Sequence, residues 1–234
     1  MSLSDLLLKS LPKFETIIPS LKEKVWFRPL LVREEKKLLQ IGEFGTEKEK
    51  INCILEILES CYVYDKIRDL TICDIQYLFI QLRIKSIGST VSPILICPIT
   101  SEKIKLKIDL SEVAVIDTPN HSTSINLNGI RLVMKYPTIQ TILDNFDSEN
   151  KEDDIYNLAL SCIKEIHTSD EMINCSEQPK KELEDFLDNM TKGQFDNIIF
   201  FFESMPKIEK VIPYTTSDGT LRSITIKGIS DFFV

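Results

Sequence analysis

Few residues in this 234-residue chain could carry out a reaction by themselves. It has two histidines, His121 and His167, and neither has a cysteine or carboxylate at the spacing that zinc ligands take. Both read as solvated surface side chains, and no metal centre is expected. The six cysteines, Cys53, Cys61, Cys73, Cys97, Cys162 and Cys175, form no CxxC pair and no regular framework. Most fall in apolar stretches, where cysteine behaves as a small buried hydrophobe, and this suits a reducing compartment. The acidic run over residues 144–154 invites a calcium loop. Counted from Asp147, however, the fifth position is Lys151, and Glu152 takes the sixth, where such a loop needs glycine. A solvated helix start is the better reading. No GxSxG, P-loop or HExxH motif occurs. Any two of the 36 acidic residues could meet in a cleft, yet nothing singles out a pair. No catalytic or cofactor-binding residue is therefore expected. An intracellular hydrolase or modifying enzyme with an unrecognised carboxylate site stands as the alternative class.

Charge and composition narrow the partners. The net charge of −8 comes from one segment, residues 138–210, which carries 7 basic and 17 acidic side chains. That balance disfavours nonspecific binding to nucleic acid or to an anionic membrane. No apolar run approaches the roughly 20 residues of a membrane helix. The first residues, MSLSDLLLKSLPKF, lack the basic region of a secretion signal. Glycine is scarce, 7 residues in all, against a usual share of about 7%. This counts against nucleotide folds built on glycine-rich loops. With 43% hydrophobic and 27% charged residues, the chain reads as a soluble globular protein, taken as a single domain over residues 1–234.

The elements that must position any site are organised around residues 74–88. On a helical wheel this stretch shows two apolar stripes, Ile75, Leu78, Phe79 and Leu82 on one side and Tyr77, Ile80, Ile84 and Ile87 on the other. A helix with two apolar faces is expected to be covered on both. Thr71 with Asp74 makes a capping box, and Gly88 suits the helix end. Before it, residues 1–23 read as a short helix or extended arm, 24–28 as a strand and 32–41 as a helix. A further helix opens at Thr46 with Glu49 in capping position. The sub-region 1–88 is thus mostly helical.

From residue 89 the period becomes two. Ile104, Leu106 and Ile108 alternate with Lys103, Lys105 and Lys107, a half-buried strand with a basic outer face that pairs with residues 91–97. Asn128-Gly129 between alternating runs signals a hairpin with a type I′ turn. Residues 89–137 form a β segment, and residues 138–210 an acidic helical one. Its first helix carries the stripe Ile155, Leu158, Ala159, Cys162, Ile163 and Ile166. The second starts near Pro179, and the third, capped by Thr191 and Gln194, buries Phe195, Ile198, Ile199 and Phe202. Residues 211–234 hold a hairpin about Asp218-Gly219 and an apolar tail. The expected fold class is α+β: a central two-faced helix with flanking helices, a mid-chain antiparallel β segment and a C-terminal β-hairpin.

Several blocks carry a family resemblance. Phe27-Arg28-Pro29-Leu30-Leu31-Val32-Arg33-Glu34-Glu35-Lys36 resembles the N-terminal block of the T-even-type bacteriophage baseplate hub subunit and hub assembly proteins. The central helix, with Asp74-Ile75, Tyr77-Leu78-Phe79, Leu82-Arg83, Lys85-Ser86 and Gly88, is similar to that family's best-marked segment. Lys135-Tyr136-Pro137, Met205-Pro206-Lys207 and Lys227-Gly228-Ile229 through Asp231-Phe232-Phe233 follow in the same order. The resemblance implies CxxC pairs in many relatives, as in a zinc knuckle. Here Cys97-Pro98-Ile99-Thr100 keeps one cysteine and residues 214–219 keep none, so metal binding is not carried over. What it implies instead is a late phage protein, without cofactor or enzymatic activity, that recognises other baseplate hub and tail proteins and can pair with itself. It would work in the host cytoplasm during assembly or within the virion tail baseplate. The candidate interface joins Phe27, Arg28, Pro29, Glu34 and Glu35 to the tail residues Ile229, Phe232 and Phe233. For the tail, folding back onto its own core is the competing reading.

Overall fold

A computed structural model describes residues 3–145 and 151–227. In chain order it runs α1 (Leu3–Lys9), β1 (Phe14–Ile18), β2 (Glu23–Phe27), α2 (Val32–Phe44), α3 (Glu47–Cys61), α4 (Ile72–Ser86), β3 (Thr90–Val91), β4 (Ile94–Ile96), β5 (Lys103–Lys105), β6 (Ile108–Asp109) and β7 (Val115–Ile116). There follow β8 (Ser124–Leu127), β9 (Ile130–Met134), α5 (Ile139–Asn145), α6 (Lys151–Cys162), β10 (Ile163–His167), β11 (Met172–Asn174), α7 (Lys180–Asp188), α8 (Lys192–Glu203), β12 (Lys207–Thr215) and β13 (Leu221–Lys227). The fold class is α+β, with small antiparallel sheets among helices. Two compact units emerge, one from residues 1–116 and 207–234, the other from residues 117–206. The expected β segment thus divides at residue 116.

In the first unit, α4 has the two covered faces its sequence demands. Ile75, Leu78, Phe79 and Leu82 are buried, and the helix packs on β1 and α3. On the other face Ile80 joins a cluster with Val91, Leu106, Ile108, Ile208, Ile212 and Ile226, and Tyr77 and Ile84 pack at its margin. Burying each such side chain stabilises by about 1.5–3 kcal/mol, which makes this helix the chief apolar anchor of the unit. Ile87 departs from its expected stripe and is 58% exposed, because it lies past the last helical residue. The helix start is fixed as its capping box requires: the Asp74 N–H donates to the Thr71 hydroxyl (3.2 Å), and the Asp74 carboxylate accepts the Thr71 N–H (3.1 Å).

The N-terminal arm holds both a short helix, α1, and an extended stretch. Residues 14–18 form a strand paired antiparallel with β2, from Phe14 opposite Phe27 to Ile18 opposite Glu23. Further along, β4 pairs with β5 across the turn at Ser101, β3 with β6, and the long β12–β13 hairpin adds β7 at its edge.

The second unit is a four-stranded antiparallel sheet in the order β11-β10-β9-β8 with four helices. Asn128 and Gly129 both have positive φ, 54° and 100°, as a type I′ turn requires. One expectation fails here. The apolar stripe that runs to Ile166 is not all helix: α6 stops at Cys162, and Ile163 and Ile166 lie in β10, opposite Met134 and Leu132. Three residues apart, they would face opposite sides of a regular strand. A register irregularity between Ile163 and Glu165 turns the strand by one residue and lets both be buried. Helical spacing is thereby mimicked by a bulged strand. In α8 it is Phe201, rather than Ile199, that joins Ile198 in the core. Asp154 is buried as well, so the acidic run is not wholly a solvated helix start.

Candidate interaction surface

Three residues of the block that carries the family resemblance, Phe27, Leu30 and Glu34, are buried. Strand alternation turns Val25 and Phe27 inward, and the Phe27 ring lies between Tyr62 (centroids 4.8 Å apart, stacked) and Phe14 (5.7 Å). At 1% exposure Phe27 is a core residue with no surface to offer a partner, which corrects its place in the expected interface. Tyr62 is fixed in turn by its hydroxyl, which donates to the Leu78 carbonyl of α4 (2.8 Å).

Pro29 ends the strand, and the next turn brings Glu34 of α2 back under Arg28. The Arg28 guanidinium forks onto both carboxylate oxygens, at 3.2 and 2.8 Å. Glu34 also accepts the Leu31 N–H (2.6 Å), the Ser60 hydroxyl (3.1 Å) and Arg33 Nε (3.1 Å). Burial alone would raise the Glu34 pKa, but the bonds from Arg28, Leu31 and Arg33 outweigh it and hold the carboxyl down at about 2. At 4% exposure Glu34 is likewise a building element rather than a contact residue, because a carboxylate with five donors has no valence left for a partner. Arg28, Pro29 and Glu35 are half-buried. Ile229, Phe232 and Phe233 lie outside the described residues.

The opposite side of the same strands is exposed. Residues 61–63 extend the β1–β2 ladder: Val63 N–H donates to the Trp26 carbonyl (2.8 Å), and Arg28 N–H to that of Cys61 (3.0 Å). On its outer face stand Ile17 (44% exposed), Trp26 (49%) and Val63 (76%), and Trp26 is the chain's single tryptophan. Val32 and Leu39, one heptad apart on α2, are also exposed. The motif-based reading missed Trp26. Period-two alternation contains the signal, since a buried Phe27 in a strand obliges its neighbour to point outward.

The groups with chemical potential are committed inside the fold. The Asp74 carboxylate, 0% exposed, takes four donors: the Ser20 N–H (2.9 Å) and hydroxyl (2.7 Å) and the Thr71 N–H (3.1 Å) and hydroxyl (2.6 Å). His121 is no solvated side chain. Its Nδ1 lies 2.9 Å from Ser204 Oγ and its Nε2 2.9 Å from the Tyr136 hydroxyl, and its ring stacks on Tyr136 and Phe201. Ser204 spends its proton on the Phe200 carbonyl (2.6 Å), so Nδ1–H donates to it and Nε2 accepts from Tyr136. Burial lowers the His121 pKa and favours that neutral form. A serine 2% exposed, with its proton committed, is not a nucleophile in this arrangement. His167, expected without a carboxylate neighbour, bonds Glu165 on its own strand (2.9 Å) and Arg131 on the next (3.0 Å). A two-residue spacing in a strand puts Glu165 and His167 on one face, a juxtaposition that ligand spacings do not report.

All six cysteines are buried and free. Cys97 is distinctive. Its sulfur receives the Tyr214 hydroxyl (3.2 Å) and the Thr100 N–H (3.5 Å), and hydrogen bonding from Thr100 and Tyr214 holds its pKa down at about 7. A second tie crosses the same gap, where the Ser217 N–H reaches both Glu102 carboxylate oxygens at 3.2 Å. The turn after β4 and the β12–β13 hairpin are thus joined by a phenol and a carboxylate. No group of three or more His, Cys, Asp or Glu side chains among the described residues is arranged to hold a metal ion.

The α+β scaffold spends its buried Glu34 and Asp74 carboxylates on its own architecture, and its outer sheet face displays tryptophan and branched aliphatics. The family model described as T4 bacteriophage base plate protein matches residues 11–234, and the chain belongs to that family. It is a phage baseplate protein, and its family is a structural one. Neither the curated proteins nor the solved structures include a match to it. No helix among the described residues is long and apolar enough to cross a membrane.

Proposed function

We propose that this baseplate protein is a hub subunit or hub assembly factor, made late in infection, that acts by recognising other hub and tail proteins and catalyses no reaction. The observation that carries this reading is the exposed Ile17–Trp26–Val63 face, set on the strand that the family block follows. Tryptophan on a rigid sheet is a strong anchor for a partner, since it brings a large apolar area at small entropic cost. Arg28, Pro29 and Glu35 form the rim beside it, and Ile229, Phe232 and Phe233 belong to the proposed surface on sequence grounds. Two buried carboxylates, Glu34 and Asp74, are occupied by structural donors, which favours recognition over carboxylate catalysis. We keep the chain as one domain in this reading, unfolding in one cooperative transition.

The test is a Trp26→Ser variant expressed with the phage tail proteins. Retained folding with loss of co-purifying tail proteins is expected, because Trp26 is outward-facing. Full co-purification and normal tail assembly by this variant would refute the reading.

A further inference from the structure

The β4–β5 hairpin presents a second exposed face, of different chemistry. Register pairs Ile94 with Lys105 and Ile96 with Lys103, so each exposed isoleucine (56% and 63%) has an exposed lysine across from it. Ile99 at the turn is 69% exposed, and Lys107 continues the basic row. None of the three lysines makes an ion pair among the described residues. The neighbouring acid, Glu102, is held by Ser217 and Thr100. The face is therefore apolar and cationic together, and its complement is apolar and anionic.

That complement occurs on the same chain, on the outer side of α8. Phe200 is 52% exposed, with Asp196 one turn before it and Glu203 three residues after, both exposed. Asp196 and Glu203 are about 10 Å apart along the axis at 1.5 Å per residue. Lys103 to Lys107 spans roughly 7 to 14 Å at about 3.4 Å per residue, counting the nearer and the farther lysine. Phe200 flanked by two acids thus complements, in polarity and charge and over an overlapping span, a row of two isoleucines beside a row of lysines. We propose that this protein self-associates head to tail, the Ile94–Ile96 hairpin face of one copy receiving the Asp196–Phe200–Glu203 ridge of a second copy. Because the two surfaces differ, one such contact leaves a ridge free on one copy and a hairpin face free on the other, so further copies can add to form a ring or an open chain.

Charge exchange tests this on the full chain, by sedimentation velocity across a concentration series. The wild type is expected to associate at low salt, with association weakening roughly tenfold or more between about 0.05 and 0.5 M salt. K103E/K105E and D196K/E203K should each be monomeric alone, and an equimolar mixture should regain assembly, since each then supplies what the other lacks. Phe200→Ser should weaken association without altering any charge. A wild type that stays monomeric at about 0.1 mM in low salt overturns the proposal, as does association that survives either charge reversal, or a mixture that stays monomeric. Trp26→Ser lies on another face and leaves this association unchanged, so failure here and failure of the hub reading are separate results.

Discussion

Replacing Glu34 with glutamine keeps the shape of the side chain and removes its charge. The carboxyl falls from 4.5 to about 2 on folding, and at about 1.4 kcal/mol per unit this corresponds to roughly 3 kcal/mol of stability held by the ionised form. Because the folded pKa is depressed, that stability is fully present above pH 4.5 and is lost as pH falls through about 2. Glutamine also turns an amide N–H₂ toward Arg28, whose side chain is only 17% exposed and already packed against the site. Loss of about 3 kcal/mol at pH 7 is expected, and with a urea slope of roughly 2 kcal/mol per molar the midpoint falls by about 1.5 M. The gap should close progressively between pH 4.5 and 2, where the wild type itself takes up the proton. Arg28→Met should cost a similar amount, because it leaves the carboxylate buried without its main partner. The double variant should cost less than the two single losses together, since they remove one interaction. A Glu34→Gln midpoint within about 0.3 M of wild type at pH 7 would refute this account. So would a gap that stays constant from pH 5 to 2.5.

Three further outcomes follow from particular contacts. Phe79→Ala should lose about 3–5 kcal/mol, as expected for a buried ring, whereas Trp26→Ser should lose about 1 kcal/mol or less; paired urea titrations compare them. Tyr214→Phe removes a donor from the Cys97 sulfur, so the thiol pKa should rise from about 7 toward 9.0, read from thiolate absorbance against pH. Deleting residues 229–234 separates the two readings of the tail. Unchanged stability with loss of tail-protein binding makes it an interface, and unfolding or aggregation makes it core.

Local signals were legible in the sequence wherever one short stretch decided the geometry. Thr46 with Glu49, Thr71 with Asp74 and Thr191 with Gln194 all cap helices as their spacing requires, and Asn128-Gly129 turns its hairpin. What escaped depended on distant partners. Ile163 and Ile166 fit a helix until β9 claims them and a bulge corrects their phase. The division at residue 116 rests on β7 pairing with β12, far along the chain, and no local pattern announces it. In the expected interface, the motif drew attention to Phe27 and Glu34 because they belong to the family block. Their burial shows that the block marks an architectural joint, and the exposed Trp26 beside it was overlooked although alternation pointed to it.

The pairing of β7 with β12 also sets an order of events during synthesis. Lys207 lies opposite Ile116, so the chain leaves the first unit and returns to the place it left, with the whole second unit made in between. The second unit is continuous, so all its strands and helices have been made by residue 206. The first unit must wait. Val91, Leu106 and Ile108 share their cluster with Ile208, Ile212 and Ile226, so the second face of α4 stays partly uncovered until β12 and β13 emerge. A nascent chain stalled before residue 207 therefore leaves the apolar cluster of the first unit half-built, the kind of species that chaperones hold and that aggregates when crowded. Translation speed through the last strands thus bears on how much of this protein reaches the baseplate in usable form.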